Sequence, residues 1–306
     1  MILCVCPNPA IDKFIHIDDF NPGKVNRIKK ELSYPGGKGV HVALGIKELG
    51  EEVALLSFWG GSTGKWIKQE CEARGIVCYG PELEDWTRIC LTIKSKNDFN
   101  ETEILGAGPM VGTFEHTAFF KEYEKLLKKS DLVAMSGSWP NNSINASYSP
   151  LIERASLMGV KSFIDCSGDI LLDALEKKPY AVHINHHEGY DIYKSKDSME
   201  ISMKLGNHCN MAAVTCGSKG LYLYDGKELT HALSKVENVI SAVGSGDSLM
   251  AGLIVAHKRN YNLVETAKLA AATGAANCIR EDLGMFYRKD VKHLFNNCDV
   301  HVKQLN

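Results

Sequence analysis

Ser241-Ala242-Val243-Gly244-Ser245-Gly246-Asp247-Ser248-Leu249-Met250-Ala251-Gly252 decides how this chain is read. Two glycines precede an aspartate, and Leu249, Met250, Leu253 and Ile254 follow at helical spacing. The loop therefore delivers Ser245, Gly246 and Asp247 to a helix N-terminus, where unpaired backbone N–H groups and the positive end of the dipole hold phosphate oxygens. A carboxylate beside a phosphate site is electrostatically costly unless it has a task, such as accepting the proton of an attacking hydroxyl. The plainer alternative is that Asp247 only caps its own helix.

Outward from this loop, short runs rich in Val, Ile and Leu recur at 2–6, 53–58, 132–135, 161–165, 181–185 and 211–215, each reading as a strand buried on both faces. Segments of helical spacing lie between them, such as Val40, Leu44, Ile46 and Leu49, or Phe119, Tyr123, Leu126 and Leu127. Alternation of this kind predicts an α/β fold, a doubly wound and mostly parallel sheet flanked by helices, with its ligand crevice at the carboxyl ends of the strands. Segments 11–33 and 88–109 break the pattern. Ile15 and Ile17, then Ile89, Leu91 and Ile93, alternate as in strands solvated on one face, so the two segments are expected to pair as a small sheet that covers the crevice as a lid. One domain over 1–306 carrying that lid is the expected organisation. Small residues at 269–272 in the last helical run allow a neighbour or a ligand to approach closely.

Lys plus Arg number 35 against 37 Asp plus Glu, so no overall field draws the chain to nucleic acid or an anionic membrane, and any anion site must be local. No apolar stretch approaches the roughly 20 residues needed to span a bilayer. The opening residues read as a first strand rather than a secretion signal, and the ten scattered cysteines include no CxxC pair. A cytoplasmic protein with reduced thiols is expected.

Three other glycine loops need weighing. Gly60-Gly61-Ser62-Thr63-Gly64-Lys65 has one residue too few for a phosphate loop and Trp66 follows, so it reads as a turn into a helix capped by Ser62 or Thr63. The stretch 106–112 is a loop, interrupted by Pro109. Gly36-Gly37-Lys38-Gly39 is a turn into an amphipathic helix with a lysine offered to an anion. A fourth cluster, His183, His186, His187 and Glu188, has zinc-ligand chemistry but lacks the HExxH spacing and is expected to end at a Gly189-Tyr190 break.

Taken in order, Pro7-Asn8-Pro9-Ala10-Ile11-Asp12, Gly36-Gly37-Lys38-Gly39, Thr87-Arg88, Ser136-Gly137-Ser138-Trp139-Pro140, Asp165-Cys166-Ser167-Gly168, Asn185-His186-His187-Glu188, the 215–220 segment and Gly244-Ser245-Gly246-Asp247 resemble the ribokinase-like, phosphofructokinase-B carbohydrate kinases. The resemblance is to the branch that acts on hexose phosphates. It implies ATP-dependent phosphorylation of a hydroxyl of a ketohexose phosphate, fructose-1-phosphate first and tagatose-6-phosphate as the alternative. An unphosphorylated sugar as acceptor, or a non-catalytic sugar-phosphate sensor, are the rival readings.

Carried over by position, the resemblance makes Asp247 the base and the amides of Gly244, Ser245 and Gly246 the anion hole. Asp12, Gly37, His41 and Ser138 become sugar ligands, and Lys38, Arg88 and Arg27 the clamp on the phosphate already present. Thr215, Gly217, Gly220, Asn185 and Asn277 fall to the nucleotide, and Glu188 to Mg²⁺ through water. His41 stands where the family usually has Asn, and His183-Ile184 where it has Lys-Pro; Lys219 is the candidate to replace that lysine. The lid edges suggest a homodimer.

Overall fold

The computed structural model describes residues 1–96, 101–141 and 143–304, so 97–100 of the second lid segment lie outside the described residues. The chain begins β1 (Ile2–Cys6), β2 (Ala10–Ile17), β3 (Lys30–Gly36), α1 (Lys38–Glu48), β4 (Val53–Ser57), β5 (Trp59–Gly60) and α2 (Gly61–Ala73). It continues through β6 (Val77–Tyr79), β7 (Glu82–Leu83), β8 (Arg88–Ser95), β9 (Glu101–Leu105), α3 (Thr113–Leu127) and β10 (Leu132–Ser136). Then come α4 (Ser149–Leu157), β11 (Lys161–Asp165), α5 (Gly168–Glu176), β12 (Ala181–Asn185), α6 (His186–Tyr193), α7 (Ser198–Leu205) and β13 (Met211–Thr215). The last elements are β14 (Leu221–Tyr224), β15 (Glu228–Leu233), α8 (Ser245–Lys258), α9 (Leu263–Cys278), α10 (Arg288–Asn296) and β16 (Asp299–Gln304).

Ten strands form the main sheet in the order β16-β15-β14-β13-β12-β11-β10-β1-β4-β6. Pairing is parallel from β13 to β6 and antiparallel where β14, β15 and β16 extend the edge. The two-residue period of a strand divides the core. Ile2, Cys4 and Cys6 of β1 face the layer of α1, α8, α9 and α10, while Leu3 and Val5 face the layer of α3, α4, α5 and α7. Each fully buried Ile, Leu or Val on these faces stabilises the fold by about 1.5–3 kcal/mol. The six strands expected from apolar runs are all present; β6 and β14 were not expected although 76–79 and 221–224 are apolar, and β15 and β16 are interrupted by polar residues.

Segments far apart in sequence make the second sheet, β3-β2-β8-β9, in which β2 and β8 run parallel with Asp12 opposite Cys90 and Phe14 opposite Thr92. One face turns Asp12, Arg88, Cys90, Thr92 and Glu103 to the crevice. On the other, Ile15, Ile17 and Ile93 pack as a small core with Phe20 and Leu91, and Ile89 and Ile104 remain exposed. Contacts that dock this sheet on the main body include Lys30 on Glu281 at 2.6 Å, Ser241 Oγ donating to Glu101 Oε2 at 2.9 Å, and Lys94 Nζ donating to Ile240 O.

Two local expectations are corrected. Neither Ser62 nor Thr63 caps α2, whose N-cap is Gly60; Thr63 Oγ1 instead donates to Thr87 O at 2.8 Å, and Gly60 N donates to Thr87 Oγ1 at 2.8 Å, which ties α2 to the start of β8. Gly189 does not break the chain but lies inside α6, because a Cβ there would come within 2.6 Å of Ile201 on α7.

Candidate active site

A cavity of about 920 Å³ opens at the carboxyl ends of β10 to β13, between the main sheet and the small one. Its floor is α8. Gly244 is the helix N-cap at φ 81°, a left-handed turn that a side chain disfavours, and a Cβ there would also lie 2.4 Å from Gly284 N. The first-turn amides of Gly246 and Asp247 have no carbonyl one turn back, so they point from a positive helix end into the cavity. Ser245 N is committed elsewhere, to Ala242 O at 3.1 Å, which removes this amide from the expected anion hole. The left-handed residue at 244 closes that turn.

Asp247 is the third helical residue, and its side chain makes no cap. Its carboxylate Oδ2 lies 2.8 Å from His41 Nδ1 on α1. The other ring nitrogen, Nε2, stands 3.2 Å from Asp12 Oδ2 on β2, and the Gly37 amide donates to that same oxygen at 3.2 Å. Burial pushes the Asp247 carboxyl above its usual value, and His41 opposes the shift without cancelling it. Burial alone would lower the His41 pKa, but Asp12 and Asp247 together hold it up at about 10.

A second buried network adjoins the first. Lys38 Nζ donates to Asp165 Oδ1 at 2.7 Å, and His183 Nδ1 donates to Asp165 Oδ2 at 2.9 Å. His183 Nε2 lies 3.2 Å from Thr215 Oγ1, and the ring edge is 3.2 Å from where a Cβ on Gly246 would stand. Although burial opposes ionisation, Lys38 and His183 hold the Asp165 carboxyl well below the usual range. Lys38 is raised above its ordinary value against the pull of burial by Asp165, Asp247 and Glu188.

Gly37, Ser138, Asn185, Glu188, Thr215, Gly217 and Gly220 all line the cavity. Asn8 donates to Ser138 Oγ and Trp139 O at 3.3 Å, joining the loop after β1 to the loop after β10. Asn185 and Glu188 form a reciprocal capping box on α6, with Glu188 Oε2 accepting from Asn185 N at 2.8 Å. Leu233, Val236, Val239, Ala271 and Ala275 add an apolar slot beside the glycine turn at 217–220. Arg88 reaches the cavity, yet its guanidinium donates to Gly106 O at 3.2 Å and Asn8 O at 3.0 Å, leaving Nε without a partner among the described residues.

Three sequence expectations fall outside this arrangement. Arg27 is exposed on the loop between β2 and β3 and does not line the cavity. Asn277 is buried, donates to Met285 O at 3.1 Å and does not line the cavity. Lys219 is exposed and points its backbone carbonyl at His231 Nε2, 2.7 Å away. As for zinc, no group of three or more His, Cys, Asp or Glu side chains among the described residues is arranged to hold a metal ion.

Residues 4–285 match the model of the pfkB family carbohydrate kinases. This chain belongs to that family. The Bacillus subtilis 1-phosphofructokinase is 30% identical over 93% of this chain and 94% of its own length. A solved Thermotoga maritima protein described as a possible 1-phosphofructokinase is 26% identical, superposes with a TM-score of 0.87 and is covered completely, as is this chain. Arabidopsis thaliana ribokinase, solved with ribose and ATP, shares the fold at a TM-score of 0.77 and 17% identity over 96% of this chain and 98% of its own. The fold is ribokinase-like, and the enzyme is a phosphotransferase with a sugar hydroxyl as acceptor. No helix among the described residues is long and apolar enough to cross a membrane.

Two members of this kinase's site had no assigned role in the sequence reading. Asp165 was visible only as part of a short motif, and His183 only as a zinc-ligand candidate and a replaced lysine; what joins them is the lateral pairing of β11 with β12. The apolar slot had one sequence cue, the small residues at 269–272, of which Ala271 lines the cavity.

Proposed function

We propose that this kinase transfers the γ-phosphoryl group of ATP to a hydroxyl of a ketohexose phosphate, with fructose-1-phosphate as acceptor and fructose-1,6-bisphosphate as product. One observation carries the reading. A single cavity holds Asp247 beside the first-turn amides of α8, two cations, Lys38 and Arg88, on its sugar side, and a glycine turn with an apolar slot on its other side. Lys38 is already balanced by Asp165, but the Arg88 guanidinium meets only two backbone carbonyls and no carboxylate among the described residues, so it supports an acceptor that already bears a phosphate.

In the step itself, the acceptor hydroxyl gives its proton to the Asp247 carboxylate while its oxygen forms the new P–O bond. The bond between the γ-phosphorus and the bridging oxygen of ADP breaks. Charge spread over the three phosphoryl oxygens is met by the amides of Gly246 and Asp247, which are fixed before reaction and need no reorganisation. Thr215, Gly217 and Gly220 let the nucleotide approach the backbone, and the slot of Val236, Val239 and Ala271 offers its adenine an apolar surface. Glu188 lines the cavity with one carboxylate oxygen bonded to Asn185 N, and its other oxygen suits a water on Mg²⁺, which would neutralise charge on the nucleotide phosphates.

ADP release from Mg·ATP is measured with fructose-1-phosphate, tagatose-6-phosphate, fructose-6-phosphate and free fructose, beside the Asp247→Asn protein. Activity with fructose-1-phosphate and a kcat reduced by about 10²–10⁴ in the variant are expected. Preference for tagatose-6-phosphate would move the assignment to the alternative acceptor, near-wild-type turnover of the variant would remove Asp247 from the base role, and activity on free fructose alone would refute the phosphate clamp.

A further inference from the structure

His41 lies between the two carboxylates on which the reaction depends. Its ring is 3% exposed, with Nδ1 at 2.8 Å from Asp247 Oδ2 and Nε2 at 3.2 Å from Asp12 Oδ2. Nδ1 is hydrogen-bonded to Asp247, while Nε2 has no hydrogen-bond partner among the described residues and lies at ion-pair distance from Asp12 Oδ2; a ring that serves both carboxylates, which only accept, carries a proton on each nitrogen. The pocket around the ring is built for that one group. A Cβ on Gly284 would stand 2.2 Å from His41 Cγ, and a Cβ on Gly36 would stand 2.1 Å from Asp12 Oδ2. The two neighbouring backbones therefore close on the bridge to distances that no side chain permits.

Resting on the kinase reading, we infer that His41 is a positioning residue, an imidazolium that ties the base Asp247 to the sugar-binding Asp12 and does not itself bind the sugar. It holds Asp247 Oδ2 by a hydrogen bond and Asp12 Oδ2 by charge, and so leaves the Oδ1 atoms to the acceptor. Asp247 Oδ1 takes the hydroxyl proton and Asp12 Oδ1 accepts a neighbouring hydroxyl; His41 keeps both its protons throughout. One cation shared by two anions also couples the sites, since a hydroxyl that fixes Asp12 fixes the ring and, through it, the base.

Charged and titratable groups surround the bridge, Arg88 on β8 among them. With it stand Asp12 on β2, Glu103 on β9, Asp247 on α8, Asp165 at the end of β11, Lys38 on α1 itself and the thiol of Cys6 on β1, which burial pushes up to about 11. Within this set His41 is the cation that lowers the Asp247 pKa most, ahead of Lys38. Its removal leaves the base more basic and its carboxylate free to rotate.

The test is His41→Asn, with His41→Gln as the second variant should the first not fold, each assayed for kcat and KM from pH 5.5 to 9.5. The acid limb of the kcat profile is expected to move up by about 1–3 pH units, with KM for ATP unchanged. In parallel, ring ¹⁵N shifts of wild-type His41 are expected to be those of imidazolium at pH 8. A neutral ring at pH 8 overturns the inference. So does an unmoved limb, whether accompanied by a raised sugar KM, the mark of a direct ligand, or by a lower Tm alone, the mark of a structural residue. Absence of ADP from every sugar phosphate with the wild-type protein would refute the kinase reading and the positioning role with it, while the ring titration still reports the bridge, so the two failures are distinguished.

Discussion

Raising the pH from 6.5 to 8.5 should destabilise this protein by about 2 kcal/mol through His41 alone. Its pKa is held up at about 10 in the folded state, against burial, by Asp12 and Asp247, whereas the unfolded value is 6.5. A raised pKa means that the folded state binds the proton more tightly. The stabilisation is therefore complete below pH 6.5 and is lost progressively until the pH passes the folded value. Each pH unit within that window removes about 1.36 kcal/mol once the unfolded ring is mostly neutral, and half of that ring is already neutral at pH 6.5, which reduces the total over two units to about 2 kcal/mol. His257 acts in the opposite sense. Burial first, and Lys161 second, push it down to about 4, so its effect is to recover a few tenths of a kcal/mol over the same range. Each cysteine raised by burial, such as Cys6 at about 11 and Cys209 at about 12, adds a loss of about 0.2 kcal/mol by pH 8.5 and almost none by pH 7.5, so the slope between pH 6.5 and 7.5 carries the test of His41. Urea unfolding followed by tryptophan fluorescence at pH 6.5, 7.5 and 8.5, with reductant present, measures the slope. A stability that is flat or rises with pH would show that the ring is not charged between its two carboxylates.

Arg88→Ala should raise KM for the sugar phosphate about 10- to 150-fold, the equivalent of a charge-assisted contact of about 1.5–3 kcal/mol; steady-state kinetics checks it, and an unchanged KM would place the substrate phosphate elsewhere. Gly284→Ala sets a Cβ 2.2 Å from His41 Cγ at φ +68°, and left-handed strain together with overpacking should cost about 2–5 kcal/mol, read as a fall in Tm with wild-type Tm as the contrary result. Sedimentation velocity should find a homodimer, because β9 is an edge of the small sheet and Ile104 on it is exposed; Ile104→Lys should shift the equilibrium to monomer, and a wild-type protein that is monomeric throughout would remove the lid as an interface.

Much of the fold was legible because burial on both faces forces a continuous apolar run, as in residues 2–6 and 211–215, and such runs are local. β16 was not legible. Its Asp299–Gln304 sequence is polar and mostly exposed, and it is a strand only because β15 offers it an edge. The same distinction separates the site residues. Asp247 was readable from its position after two glycines at a helix start, a feature of twelve consecutive residues. Asp165 and His183 were not, since 18 residues separate them and only the lateral order of β11 and β12 sets them 2.9 Å apart. Arg27 and Asn277 illustrate the converse: position in a motif order suggested roles, and the loop path and a bond to Met285 O placed both side chains away from the cavity.

By itself the sequence determined the α/β alternation, the glycine turn that starts α8 and the place of Asp247 in the first turn of that helix, because each depends on contacts within a few residues along the chain. Only the tertiary structure decided the surroundings of that carboxylate. Asp12, His41 and Asp247 come from β2, α1 and α8, and 206 residues separate the ring from the carboxylate it holds. Charge, proton position and carboxylate orientation at such a site are properties of distance in a desolvated interior, and distance across the fold is what a linear pattern does not contain.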